Sequence, residues 1–312
     1  MTTASEDARN FSEILYKYTD LSGAQKILST RTLRFARALE MNDPFDVYFA
    51  DLFGMDLDEF FEELHEAFFT TLLNNPEHFA AVTGADVTDT IERAERLRNM
   101  SDAEREERRE RLRRMTESHP EHQQIRATLE KQSDEFSERF RRYGIFCATR
   151  TYSNLLMWAH YAEKHQGAVM GFLPDLGKDS FLRLIEPVIY CSERPHLIER
   201  PINQITDGLP STPLDAGKRL NERLLRTKSL EWSYEQELRL TFPEEIKDGE
   251  SATYNTFYAN ELVEVYLGCR MSDDKRAEII RLAKNLNPDV RIFAASLATR
   301  KFALDFAPLY QK

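Results

Sequence analysis

The sequence is poor in cysteine and has no long apolar segment. Its 312 residues include three cysteines, and none form a Cys-x-x-Cys pair, so we expect neither a disulfide framework nor a thiolate metal site. No run approaches the ~20 apolar residues that span a bilayer, so we expect no membrane partner. The first residues are polar and lack a signal segment, which together with the scarce cysteine predicts a cytoplasmic protein.

Basic residues are missing from one long stretch of the chain. The whole sequence has a formal net charge of −11. Residues 38–92 contain 14 acidic residues and no Lys or Arg, whereas the rest contains 39 acidic and 42 basic residues, a net charge of +3. The acidic 38–92 region is a candidate surface for a protein partner or antitoxin, or a plain solvated helix face. The remaining chain is compatible with a small anionic nucleotide as ligand.

The pattern of apolar residues predicts an α+β fold. Residues 14–50 and 143–308 alternate between strand-like and helical stretches, whereas residues 51–142 are helical throughout. We therefore expect a single domain over 1–312, with a mixed, mostly antiparallel sheet, flanking helices and a helical insertion. Neither the G-x-G-x-x-G nor the P-loop pattern occurs, so no Rossmann or P-loop nucleotide site is predicted.

One dense group of aromatic and ionisable residues lies on a predicted helix, Asn154–Gln166. Helical spacing places Trp158, Tyr161 and His165 on one stripe and His160 on the adjacent one. In a structural interpretation the two aromatic residues belong to the core, and His165 is a cation at the helix C-terminus. In a functional interpretation the same face binds a ligand. The sequence leaves both open.

A second group lies on a predicted strand from Tyr234 to Phe242. Residues spaced by two share a face of a strand, so Glu235, Glu237 and Arg239 project together. They form either an ion pair on a solvated face or a polar strand that lines a cleft. In a cleft, a carboxylate can hold a ribose hydroxyl or act as a base.

These residues carry a resemblance that runs from about Leu15 to Phe306. The chain resembles an uncharacterised bacterial family, the domain of unknown function 2971 (DUF2971), and the family name implies no activity. The matching segments are Leu15–Thr19, Asn42–Phe45, Cys147–Thr149, Leu156–Ala162, His165–Gly167, Lys228 and Trp232–Arg239.

The order of these motifs is also similar, more distantly, to mono-ADP-ribosyltransferases, which hold NAD in a split sheet. That resemblance implies that Tyr18 and Thr19 hold the adenosine ribose. The nicotinamide would stack on Tyr161, with Trp158 as a second stacking residue.

The same resemblance assigns the chemistry to the second group. Glu237 would be the catalytic carboxylate, Glu235 would orient the acceptor nucleophile, and His160 or His165 would contact pyrophosphate or ribose. Lys17 and Tyr18 stand at the first-strand position where the transferases have Arg or His. Lys17 and Arg239 are candidate cations for an anionic cofactor.

Three functions remain open from the sequence. The first is an NAD-dependent ADP-ribosyltransferase-like toxin or defence effector. It would use NAD as co-substrate, need no metal, and transfer ADP-ribose to a protein or a nucleic acid, which would be bound only as the acceptor. The second is a non-catalytic module that senses a nucleotide or binds a partner protein. The third is a metal-dependent nuclease or hydrolase that uses Glu235 and Glu237.

Overall fold

A computed structural model of the chain places its strands and most of its helices. The described residues are 13–46, 57–118, 120–140, 142–193, 221–247 and 249–309. Contacts divide the chain into two compact units. The sheet unit comprises residues 1–47, 140–194 and 226–312, and the helical unit comprises residues 48–139 and 195–225. The single-domain organisation over 1–312 remains a prediction.

The described residues form twelve β-strands, all of them in the sheet unit. They are β1 (Leu15–Thr19), β2 (Thr32–Arg37), β3 (Tyr143–Thr149), β4 (Ala168–Phe172), β5 (Glu186–Pro187), β6 (Ile189–Cys191), β7 (Thr227–Ser229), β8 (Glu237–Glu245), β9 (Ala252–Thr256), β10 (Leu262–Leu267), β11 (Arg291–Leu297) and β12 (Leu304–Pro308). Ten form one sheet, in which β10 and β11 are parallel and the other pairs are antiparallel; β6 and β7 form a separate parallel pair. The predicted α+β class with a mixed, mostly antiparallel sheet is confirmed.

Eight α-helices lie in the described residues. They are α1 (Leu21–Thr30), α2 (Leu57–Asn74), α3 (Pro76–Thr83), α4 (Val87–Arg98), α5 (Asp102–Glu117), α6 (Pro120–Phe140), α7 (Leu155–Tyr161) and α8 (Asp273–Leu286). The sheet unit contains α1, α7 and α8; the helical unit contains α2 to α5 and nearly all of α6. Within the described part of the chain, no helix combines the length and apolar content needed to cross a bilayer.

Strand β3 pairs with three strands of the sheet, β1, β2 and β8. It pairs with β8 along its length, from Thr149↔Glu237 to the Gly144 end. Its other edge pairs with β1 at Thr149, through Tyr16, and with β2 at Ile145, through Ala36. Because β1 and β2 meet the same edge of β3 at opposite ends, they diverge beside the middle of that strand.

Alternate residues of β1 enter two different cores, as strand geometry requires. Leu15 joins the larger core, which includes Phe146 and Leu238 and packs against α1 and α8. Tyr16 and Tyr18 join a smaller, aromatic core. Strand β1 is therefore anchored by packing on both of its faces.

The acidic stretch of the sequence is partly neutralised inside the helical unit. Arg109 of α5 lies 2.5 Å from Glu66 of α2, and Arg113 lies 3.2 Å from Glu62. Arg126 of α6 also pairs with an acidic residue of α2. Helix α5, which is polar almost all round in sequence, thus supplies the cations that the 38–92 region lacks. The acidic surface open to a partner is smaller than the sequence alone indicates.

Candidate functional site

A cavity of about 1040 Å³ lies in the sheet unit beside β3. Its walls come from β1, α1, β2, the turn after β2, β3, α7 and a 3-10 helix at Leu230–Glu235. Several polar and aromatic side chains line it, including Lys17, Tyr18, Thr19, Arg34, Asp46, His160, Tyr161, Lys228, Trp232, Glu235 and Glu237. This size is at the upper end of the range usual for small-molecule sites.

Three buried carboxylates surround one ammonium group in the cavity wall. Lys228 Nζ lies 2.6 Å from Glu235 Oε2, 3.0 Å from Glu237 Oε2 and 3.8 Å from Asp46 Oδ2. All four side chains are at least nine-tenths buried. A buried charge is costly unless it is paired, so the fold must hold these four side chains together.

Arg239 supplies a second cation to the same cluster. Its guanidinium binds Asp46 through two parallel hydrogen bonds of 2.9 and 2.8 Å. It also donates to both oxygens of Glu237, at 2.9 and 3.1 Å. Three carboxylates thus face two cations, which leaves the cluster with a formal charge of −1.

The backbone between the two glutamates differs from the predicted strand. Glu235 ends the 3-10 helix, Gln236 has a left-handed φ of 46°, and β8 begins only at Glu237. Placing Glu235 on the strand was therefore wrong, whereas Glu237 and Arg239 do share a face of β8. The left-handed turn at Gln236 brings Glu235 back to the same lysine as Glu237. A non-glycine residue in this region is strained, and such strain clusters at functional sites.

Opposing effects set the ionisation of these groups. Burial alone would raise the pKa of Glu237, but Arg239 and Lys228 outweigh it and lower that pKa to about 2. Burial alone would lower the pKa of Lys228, and Glu237, Glu235 and Asp46 raise it above its usual value. Burial and the nearby Glu237 raise the pKa of the Cys147 thiol to about 12. At neutral pH the carboxylate of Glu237 is charged and the thiol is not.

Tyr161 links α7 to the carboxylate cluster. Its hydroxyl donates a 2.6 Å hydrogen bond to Glu235 Oε1. Asn154 caps the start of α7, donates from its side chain to the backbone oxygen of Tyr234, and donates from its backbone to the Tyr18 hydroxyl. The helix start is thereby tied both to β1 and to the segment that carries Glu235.

Helix α7 is shorter than predicted, and this changes the place of His165. The helix ends at Tyr161, and Glu163, Lys164 and His165 follow with φ values of 49°, 53° and 70°. The single stripe of Trp158, Tyr161 and His165 on a helix reaching Gln166 was therefore wrong. The chain then passes so close to β1 that a Cβ at Gly167 would come within 2.2 Å of the backbone oxygen of Thr19.

Three of the predicted site residues are not among those that line the cavity. Trp158 is fully buried in the aromatic core, where its indole donates to the backbone oxygen of Tyr152. The His165 ring stacks on Trp158, with centroids 6.1 Å apart. Arg239 is fully buried, and its guanidinium binds the carboxylates of Asp46 and Glu237. The other predicted residues, Glu237, Glu235, Tyr161, Tyr18, Thr19, Lys17 and His160, are brought together at the cavity.

Asp46 and Trp232 belong to the site but were not singled out as site residues from the sequence. Asp46 follows the Asn42–Phe45 turn motif, which predicts a turn and nothing about its neighbours. Its pairing with Arg239 joins residues 193 positions apart. Trp232 lies in the 3-10 helix, and its ring is 4.9 Å from Lys228 Nζ. The Trp-x-Tyr-Glu-x-Glu motif, which begins at Trp232, was the sequence signal that could have identified this residue.

Comparisons with known proteins agree with the first resemblance. A family model described as protein of unknown function (DUF2971) matches residues 157–240, a stretch that runs from α7 into β8 and contains Tyr161, Lys228, Glu235 and Glu237. No curated protein and no solved structure matches the chain. Among the described residues, no group of three or more His, Cys, Asp or Glu side chains is arranged to hold a metal ion.

Proposed function

We propose that the cavity of the sheet unit binds NAD and that its carboxylates promote cleavage of the nicotinamide–ribose bond, with transfer of ADP-ribose to an acceptor. One observation carries the proposal: Tyr18, Tyr161 and Glu237, which come from β1, α7 and β8, line the same cavity. The distant similarity to mono-ADP-ribosyltransferases assigns these three positions to ligand binding and catalysis. Had they faced different sides of the unit, the proposal would fail.

The chemistry requires a fixed negative charge beside the ribose. Cleavage of the glycosidic C–N bond develops positive charge on the sugar, and a nearby carboxylate stabilises it best where water is excluded. Glu237 is buried and ionised at neutral pH. We assign charge stabilisation to Glu237 and orientation of the acceptor to Glu235, which Tyr161 and Lys228 hold in place.

The distribution of other groups in the cavity suits a nucleotide. The aromatic rings of Tyr161 and Trp232 line the cavity and can stack on a ligand. Trp158 is enclosed in the core, so we assign the role of second stacking residue to Trp232 instead. Arg34 and Lys26 also line the cavity and carry positive charge suited to phosphate groups.

The test compares carboxylate variants with a matched surface control. Glu235→Gln and Glu237→Gln keep the side-chain volume, and Glu231→Gln makes the same change at an exposed position of the same 3-10 helix. We expect wild type and Glu231→Gln to release nicotinamide from NAD, and Glu237→Gln to be slower by about 10²–10³-fold. Equal turnover in all four proteins, or none in wild type, would reject the catalytic proposal.

A second function is favoured by the way Glu237 is held. Both of its oxygens already accept hydrogen bonds from Arg239, and one also accepts from Lys228. A carboxylate held in this way suits recognition without turnover, so the alternative is a nucleotide-sensing module. NAD that raises the melting temperature of the protein without any release of nicotinamide would support the module over the enzyme.

A toxin or defence effector is the biological setting that we propose for the transferase. Its acceptor would be a protein or a nucleic acid, and a protein partner or antitoxin would bind the acidic face of the helical unit. Expression of the wild-type chain would then arrest bacterial growth, and Glu237→Gln would relieve the arrest while remaining folded. Arrest that persists with Glu237→Gln would argue against this setting.

A further inference from the structure

Strand β12 forms one edge of the ten-stranded sheet. Among the described residues, only β11 pairs with it. At the start of this hairpin, Ala298 N donates to the backbone oxygen of Ala303, so the backbone groups of Ala303 face β11. Because these groups alternate in direction along an antiparallel strand, those of Leu304, Phe306 and Pro308 point away from β11. The outer edge of β12 therefore offers backbone donors and acceptors to a further strand.

The composition of β12 favours such pairing. Edge strands in proteins are usually protected by lysines, by a bulge or by a covering element. Strand β12 has no lysine and no bulge, and Asp305 is its one charged residue. Ala307 and Pro308 are exposed, and so is Phe302, which lies just before the strand and is fully exposed. An apolar edge of this kind is a natural site for β-strand addition.

We propose that the partner is a second copy of this chain, paired antiparallel with β12 about a two-fold axis at Phe306. The N–H of each Phe306 would donate to the carbonyl oxygen of the other. The N–H of each Leu304 would donate to the carbonyl oxygen of Pro308 in the other copy. Proline has no N–H, so the register leaves no donor of Pro308 unpaired. The inference goes beyond the proposed function, since it requires no ligand in the cavity.

The single charge of the strand selects this register over its neighbours. With the axis at Phe306, each Asp305 lies opposite Ala307 of the other copy. An axis at Asp305 would place two carboxylates directly opposite one another, which is destabilising. An axis at Ala307 would pair Phe306 with Pro308, and the missing N–H of proline would remove hydrogen bonds from the ladder.

The same register continues an apolar surface across the axis. Leu304 belongs to the aromatic core, and Phe306 packs against it. Pro308 shares their face of the strand, because the three residues are spaced by two. In the dimer the two Phe306 side chains would lie next to each other, and each Leu304 would lie next to a Pro308. Two five-residue strands bury little surface, so we expect a reversible dimer.

The experiment measures the dissociation constant of the full chain by sedimentation equilibrium, from about 1 µM to about 1 mM protein. Ala307→Asp places a carboxylate opposite Asp305 of the other copy, once on each side of the axis. It should raise the dissociation constant by about 2–30-fold. Ala307→Lys places an ammonium group there and should lower the constant by a similar factor. Ala307 is exposed, so both variants should fold, which circular dichroism verifies.

Thr256→Asp is the matched control, at an exposed position of β9, the strand at the opposite edge of the sheet. It should leave the dissociation constant unchanged. If β12 paired instead with β9 of the next copy, the chains would form open assemblies longer than a dimer, and Thr256→Asp would disrupt them. Such assemblies, or a monomer at every concentration, would overturn the proposal. So would a dimer that Ala307→Asp does not weaken or that Ala307→Lys does not strengthen.

Discussion

Glu235 and Glu237 share one ammonium group, although they lie in different types of backbone structure. Lys228 Nζ lies 2.6 Å from an oxygen of Glu235 and 3.0 Å from an oxygen of Glu237. The left-handed turn at Gln236 makes this convergence possible. The pair therefore acts as a unit, and the residues that hold it can be tested one at a time.

Lys228→Met should destabilise the protein strongly. Methionine has a similar length but removes the charge, which leaves buried carboxylates without their shared partner. Breaking a buried ion pair on one side costs about 3–5 kcal/mol, measured as a fall in the free energy of urea unfolding. Lys178→Met, at a partly exposed lysine paired with Asp175, should cost at most about 1 kcal/mol. Equal effects of the two changes would contradict the proposed importance of the cluster.

Acid should remove the contribution of Glu237 to stability. Its pKa falls from an ordinary 4.5 to about 2 on folding, so the stabilisation is present above pH 4.5 and is lost as the pH falls toward 2. The loss is on the order of 3 kcal/mol, since one pKa unit corresponds to about 1.4 kcal/mol. Unfolding free energies measured between pH 7 and pH 2.5 should show this decline in Glu231→Gln as in wild type. A decline of the same size in Glu237→Gln would assign it to other groups.

Gln236→Gly should leave stability unchanged or raise it by up to about 1 kcal/mol. Glycine relieves a left-handed conformation that costs other residues about 1–2 kcal/mol, offset in part by about 0.5–1 kcal/mol of chain entropy. The comparison is Ser233→Gly, at an exposed position of the 3-10 helix, which should lower stability by about 0.5–1 kcal/mol. A lower melting temperature for Gln236→Gly than for Ser233→Gly would be inconsistent with strain at Gln236.

Tyr161→Phe should lower both the stability of the protein and its affinity for NAD. The change removes the 2.6 Å hydrogen bond to Glu235 and leaves one carboxylate oxygen short of a donor, at a cost of about 1–3 kcal/mol. We expect weaker binding of NAD by calorimetry. Tyr258→Phe, at a tyrosine that is not among the cavity-lining residues, should bind NAD as wild type does. Unchanged affinity in Tyr161→Phe would remove this tyrosine from the binding site.

Trp158→Phe should lower the stability of the protein without changing its affinity for NAD. Trp158 is fully buried, packs at 5.6 Å from the Tyr18 ring, and donates to a backbone oxygen. The smaller ring loses that hydrogen bond and leaves a cavity in the core, at a cost of about 1–3 kcal/mol. We expect a lower melting temperature and an unchanged affinity for NAD under conditions where the variant is folded. A large loss of affinity in the folded variant would restore Trp158 as a ligand-binding residue.

Local patterns in the sequence predicted most of the elements around the site. The strand expected from Tyr234 to Phe242 corresponds largely to β8, on which Glu237 and Arg239 share a face, and the helix expected from Asn154 corresponds at its start to α7. The errors occur where tertiary contacts override local preference. The helix predicted through Gln166 ends at Tyr161, and three left-handed residues, Glu163 to His165, lead to Gly167, which lies against the backbone of β1.

Composition and motif spacing determined the α+β class, the absence of Rossmann and P-loop signatures, and most of the residues that meet at the cavity. These properties depend on periodicity and on neighbours close in the chain. Only the tertiary structure decided which charges neutralise one another. Asp46 reaches Arg239 across 193 residues, Glu235 turns back through a left-handed residue to Lys228, and the arginines of α5 neutralise acids of α2. Because a buried charge is tolerated only where the fold supplies its partner, such pairings depend on long-range contacts that no local pattern in the sequence encodes.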